Sequence, residues 1–132
     1  MSLIKTTNPI NFTRQDVDWR LLNIAPETKE FLEYIARRKY CSKIKYIVLF
    51  GSVAREEATK YSDIDIAVIS DDPLSRTELN QLHPSINHSH LYKLDYRIIN
   101  ISAHKLETEK FLDVGYHIKR EGIIIYEYTN PK

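Results

Sequence analysis

Residues 48–70 read VLFGSVAREEATKYSDIDIAVIS, and the order of residue types in that stretch decides the fold. Its first residues close the run IKYIVLF, 44–50, which is β-branched and aromatic and reads as a buried strand. Gly51-Ser52 ends that strand, a short helix through Ala54 and Ala58 is expected next, and DIDIAVI, 63–69, reads as a second strand. Side chains two apart on a strand point the same way, so Asp63 and Asp65 share a face. Two carboxylates that close repel by several kcal/mol at an effective dielectric near 20 unless a cation neutralises them. Their oxygens suit hard cations, and Mg²⁺ typically takes one or two carboxylates together with substrate phosphates. At the other end of the loop, Gly51 lets the backbone come close where strand turns into helix. The amides of Ser52 and Val53, with the Ser52 hydroxyl, can hold a phosphate there. A phosphate cradle and a carboxylate pair joined by one short loop describe a site for a nucleoside triphosphate.

Working outward, Thr13 offers an N-cap for a short helix carrying Val17, Leu21 and Leu22. Pro26 suits the first turn of a longer helix with Phe31, Leu32 and Ile35 on one face. Arg37, Arg38 and Lys39 complement the negative end of its dipole. Ser75-Arg76-Thr77-Glu78 is a capping box opening a short helix that Pro84 must close. Leu91 to Ile101 reads as a third strand, and Asp95 lies within it. Aspartate is depleted in strands, so a carboxylate there invites a reason. If that strand lies beside the second, Asp95 can complete a triad able to bridge two metal ions and help deprotonate an attacking hydroxyl. Residues 102–121 are helical in pattern with a break expected at Gly115, Gly122 is a natural stop, and Ile123 to Tyr126 reads as a last strand. The expected class is α/β (α+β), a mixed sheet of about four strands with helices packed against it.

The 132 residues carry 19 Lys+Arg against 18 Asp+Glu, which excludes a protein that holds nucleic acid mainly through surplus positive charge. No direct nucleic-acid partner is expected. Apolar residues make up 42%, enough for a core. One cysteine, Cys41, forms no intramolecular disulfide and is expected to be inert packing. No apolar run approaches the roughly 20 residues that span a bilayer, and the start lacks a signal-peptide pattern. A soluble, cytoplasmic protein without a membrane partner is the expectation, with residues 1–25 an N-terminal extension led by a poorly ordered dozen residues, and 26–132 the domain.

The glycine-serine pair, ten residues and Asp-x-Asp together resemble the nucleotidyltransferase superfamily, whose motif is GS, ten residues, DxD. Shuffling this composition, which holds only three glycines, gives roughly 0.0007 chance matches. The short length resembles its minimal nucleotidyltransferase (MNT) family, over roughly residues 26–127. The resemblance implies a mixed sheet bearing three carboxylates, two Mg²⁺ ions, and transfer of a nucleoside monophosphate, often AMP from ATP. By position it implies that Gly51 and Ser52 bind the nucleotide phosphates and that Asp63, Asp65 and Asp95 hold the metals and serve catalysis. Many MNT proteins are antitoxins paired with a helical HEPN ribonuclease toxin, and some add AMP to a toxin tyrosine. A HEPN-type partner and AMP transfer to it are therefore implied here, with a homodimer as a further option. Two residues depart from the family pattern: Glu56, where glycine is usual, and Tyr61, where a small or acidic residue is common.

Two other readings stay open at this point. One is a transferase for a small hydroxyl compound of the antibiotic type, and the other a catalytically weak antitoxin that acts by binding alone. Arg55 can contact phosphate or sit exposed on its helix. Asp95 can alternatively pair with Arg97 or Lys93. His83, His88 and His90 read as loop polarity rather than metal ligands.

Overall fold

The computed structural model describes residues 10–59, 61–84, 94–108 and 114–129. Its sheet is built from β1 (Ile44–Phe50), β2 (Ile64–Ser70), β3 (Tyr96–Ser102) and β4 (Ile123–Glu127). Their spatial order is β3-β2-β1-β4, with β1 antiparallel to both neighbours and β2 parallel to β3. This is the mixed four-stranded α/β sheet expected from the sequence. The parallel pair needs a crossover, and α3 (Arg76–Asn80) lies within it. Ser75 and Glu78 close the capping box at its start, each binding the other's backbone amide. Asn100 ties β3 to the turn before α3: its amide donates to Val68 O at 2.9 Å and its oxygen accepts from the Leu74 amide at 2.9 Å.

Alternation along β1 and β2 sends side chains to two cores. Ile47, Leu49, Ile64, Ile66 and Val68 join Phe31, Leu32 and Ile35 of α1 (Pro26–Arg37) on one face. On the other, Val48, Phe50, Ala67 and Ile69 meet Leu106 of α4 (Ala103–Thr108) and Ile118 of α5 (Val114–Glu121). One turn of helix, α2 (Gly51–Ala54), links β1 to the loop before β2.

Several expectations change. The helix proposed from Thr13 is a single 3-10 turn over Trp19–Leu21, and Asp18 caps it by accepting from the Arg20 amide at 3.0 Å. Leu21 is exposed, whereas Trp19 and Leu22 are buried and Val17 is partly buried against the same core. The stretch set apart as an extension packs from Ile10 onward: Ile10 and Phe12 enter one core, Trp19 and Leu22 the other. The Thr13 amide donates to Lys119 O at 2.8 Å, which fastens this segment across α5. The short helix after Gly51 begins at Gly51 itself and stops before Ala58. Gly115 does not break a helix but lies buried in the first turn of α5, and Gly122 follows that helix with no room for a Cβ between Ile118 O and Val48 Cγ1. Cys41 is exposed rather than packed. His88, His90, Lys93 and the first residues of the expected third strand lie outside the described residues.

Candidate active site

The site residues come together because β1 ends where β2 begins. Phe50 pairs with Asp65 across the antiparallel ladder, so the turn that follows Phe50 lands beside the Asp65 side chain. Gly51 holds φ at +80°, the left-handed region that glycine enters without cost. A Cβ placed on it would collide with Asp65 Oδ2. Two independent constraints therefore demand glycine at this position, and the second is contact with one of the motif's own carboxylates. Phe50 precedes α2 without a side-chain cap.

Asp65 lies in β2 and Asp63 immediately ahead of it, and their environments differ. The Asp65 side chain is 13% exposed and that of Asp63 47%. Arg97, paired with Asp65 by the parallel register, reaches both: Nε and Nη2 each lie 3.0 Å from Asp65 Oδ1, and Nε lies 3.8 Å from Asp63 Oδ2. Asp95 sits just ahead of β3, and its carbonyl accepts from the Ile64 amide at 2.9 Å. Continuing the register by one residue sets Asp95 opposite Asp63. Among the described residues, however, no group of three His, Cys, Asp or Glu side chains is gathered closely enough to hold a metal. The donor chemistry still fits Mg²⁺, since two hard carboxylates on one face are the number this cation takes beside substrate phosphates.

Arg55 occupies the opposite end of α2. Its Nε donates to Glu57 Oε1 and its Nη1 to Glu121 Oε1, both at 3.0 Å, so it joins α2 to α5. The hydrogen bond to Glu57 and the charge of Glu121 raise its pKa above the ordinary arginine value. Arg14 reinforces the same joint by donating to Ala54 O at 2.7 Å. Glu56 stands here with φ at +60°, in the region that favours glycine. Its carboxylate faces the Asn23 amide at 3.5 Å rather than the turn at Gly51.

The sequence reading missed Arg97 as a member of the site, weighing it only as a partner for Asp95. The signal was present, because the two-residue period from Asp95 puts Arg97 on the carboxylate face once β3 lies parallel to β2. His83 is engaged with Tyr96, Nδ1 to hydroxyl at 2.8 Å, and is not part of this site.

Among the described residues no helix is long and apolar enough to cross a membrane. Residues 29–130 match the family model described as Polymerase beta, Nucleotidyltransferase. "Putative protein adenylyltransferase MJ0604" of Methanocaldococcus jannaschii is 44% identical over 50 residues, 38% of this chain and 49% of that protein. "Putative protein adenylyltransferase MJ1217" of the same organism is 44% identical over 59 residues, 42% of this chain and 58% of that protein. The matched region thus spans about half the length of these curated relatives. A solved structure described as a toxin-antitoxin with AMP-PNP superposes with a TM-score of 0.47 at 20% identity, covering 77% of this chain and 72% of that one.

Proposed function

Because the chain belongs to the Polymerase beta nucleotidyltransferase family, we propose that it transfers a nucleoside monophosphate, AMP from ATP, to a hydroxyl acceptor. The observation that carries this reading is the close approach of Gly51 to Asp65 Oδ2, which puts the turn read as a phosphate cradle beside a carboxylate read as a metal ligand. In this reading the Gly51-Ser52 turn holds the β- and γ-phosphates, and Asp63 and Asp65 hold Mg²⁺, with Asp95 joining them as the third carboxylate for two ions. Bound Mg²⁺ would supply neutralisation of the charge that grows on the phosphoryl oxygens. The acceptor oxygen attacks the α-phosphorus in line, the bond to the β-phosphate oxygen breaks, and pyrophosphate leaves. Asp95 receives the hydroxyl proton. Arg55, held by Glu57 and Glu121, braces the end of α2 on α5; a phosphate contact would require it to leave both partners.

The acceptor in this reading is a tyrosine of a HEPN-type toxin, which makes the chain a cytoplasmic antitoxin. The resemblance of residues 48–70 to the MNT pattern supports the partner, and the names of the relatives from Methanocaldococcus jannaschii support adenylyl transfer to a protein. A second reading, neutralisation by contact alone, is favoured by one observation: no three carboxylates are gathered among the described residues. Co-expression with a HEPN-type toxin that the wild-type chain neutralises separates the two. The Asp63→Asn/Asp65→Asn double variant should lose protection if transfer is the mechanism. Full protection by the double variant would select the contact-only reading.

A further inference from the structure

The role of Arg97 follows from which oxygen of Asp65 it covers. Asp65 Oδ2 is the oxygen nearest a Cβ built on Gly51, which leaves Oδ1 as the other. That is the atom on which Arg97 Nε and Nη2 both converge at 3.0 Å, with Asp63 Oδ2 at 3.8 Å from the same Nε. The parallel register of β2 and β3 imposes this placement, because Asp65 and Arg97 are direct cross-strand partners. The two sides differ in freedom: the Asp65 side chain is nearly covered, whereas that of Arg97 is mostly in solvent. One guanidinium also leaves the Asp63–Asp65 pair with a residual negative charge.

We propose that Arg97 is a built-in counter-cation of the carboxylate pair, holding Asp65 Oδ1 and Asp63 in the metal-free protein and yielding them to a divalent cation. The inference rests on the nucleotidyltransferase reading of the same site. Arg97 is a positioning residue here, acting through the two carboxylates. It keeps like charges together on one face while no metal is present, and it competes with the cation that replaces it. A planar fork of donors suits the first task, and a long, exposed stem lets the head swing away in the second.

The test is binding of Mn²⁺ alone to the full chain, followed by loss of the free-ion paramagnetic resonance signal, for wild type, Arg97→Gln and Arg97→Lys. Arg97 is exposed, so neither substitution should disturb folding. Arg97→Gln should bind Mn²⁺ roughly fivefold more tightly, the size expected for removing one exposed ion pair. Arg97→Lys, which keeps the charge, should return toward wild type. In the wild-type protein the Arg97 Nε–Hε nuclear resonance should shift as Mg²⁺ is added. Unchanged or weaker Mn²⁺ binding in Arg97→Gln would overturn the proposal while leaving the transfer activity of the wild type as separate support for the site. Absence of cation binding in all three forms, together with absence of nucleotidyl transfer, would overturn both.

Discussion

Two residues bracket the single turn of α2 with positive φ, Gly51 at +80° and Glu56 at +60°. They share little else. Gly51 is pressed against Asp65 Oδ2 and has no room for a Cβ, whereas Glu56 is exposed and carries a full side chain in a region that costs non-glycine residues about 1 kcal/mol. At the first position the backbone conformation and the site's contact impose the same requirement, so glycine is obligatory. At the second only the conformation speaks, so the chain tolerates glutamate at a cost in stability. This also supplies a physical reason for the glycine that the MNT pattern usually carries there: the loop needs a left-handed residue after α2, independent of chemistry.

The sharpest way to break that comparison is to give Gly51 a methyl group. Gly51→Ala should displace the Asp65 carboxylate and reduce nucleotidyl transfer by about 100-fold or more, as expected for misplacement of order 1 Å. It should also cost about 1–3 kcal/mol of stability through strain. Label-transfer rates and thermal unfolding would register the two losses separately. Glu56→Gly should act in the opposite direction, stabilising the fold by up to about 1 kcal/mol while transfer stays within about twofold. Chemical denaturation reads the gain. A loss of activity in that variant would show that the second end of α2 also serves the site.

Smaller effects come from the surrounding ion pairs. Arg55→Ala removes the joint to Glu57 and Glu121, both surface pairs, and should cost about 0.2–1 kcal/mol in denaturant titrations. The smallest effect lies at α3, the helix whose start is closed by side chains where α2 has none. The backbone hydrogen bond from Ser75, with Lys43 beside it, holds the Glu78 carboxyl below its ordinary pKa. A depressed carboxylate pKa contributes stability that is present above the ordinary carboxylate range and is lost as pH falls through the lowered folded value. Unfolding midpoints between pH 6 and pH 3 should therefore converge for wild type and Glu78→Gln.

Much of this was legible from residue order. The run IKYIVLF, the Asp-x-Asp strand and the Ser75–Glu78 box appear where their patterns put them, because each is a local signal: a buried apolar run, a two-residue period, a side chain that caps its own helix. What escaped was set by contacts between distant segments. Ile10 and Phe12 read as a polar lead-in because Asn, Thr and Pro surround them, yet the sheet offers two faces and these residues fill one. Gly51 was read as allowing close approach without a partner for it; the partner, Asp65, follows only from the β1–β2 register. The two-residue period sets Arg97 on the face of Asp95, but only the parallel register of β3 brings that face to Asp65. Glu56 shows as a departure from a pattern, and the reason a glycine suits that position becomes visible only with its φ angle.

The central claim is that the Gly51 turn and the Asp63–Asp65 face form one nucleotidyl-transfer site. Its most direct test is transfer of label from α-phosphate-labelled ATP with Mg²⁺, in extract of the source cells, by wild type beside Asp63→Asn/Asp65→Asn. The account predicts a labelled protein band that appears with the wild type and disappears with the double variant. No labelled product from folded wild-type protein with ATP or other nucleotides, or equal labelling by the double variant, would contradict it.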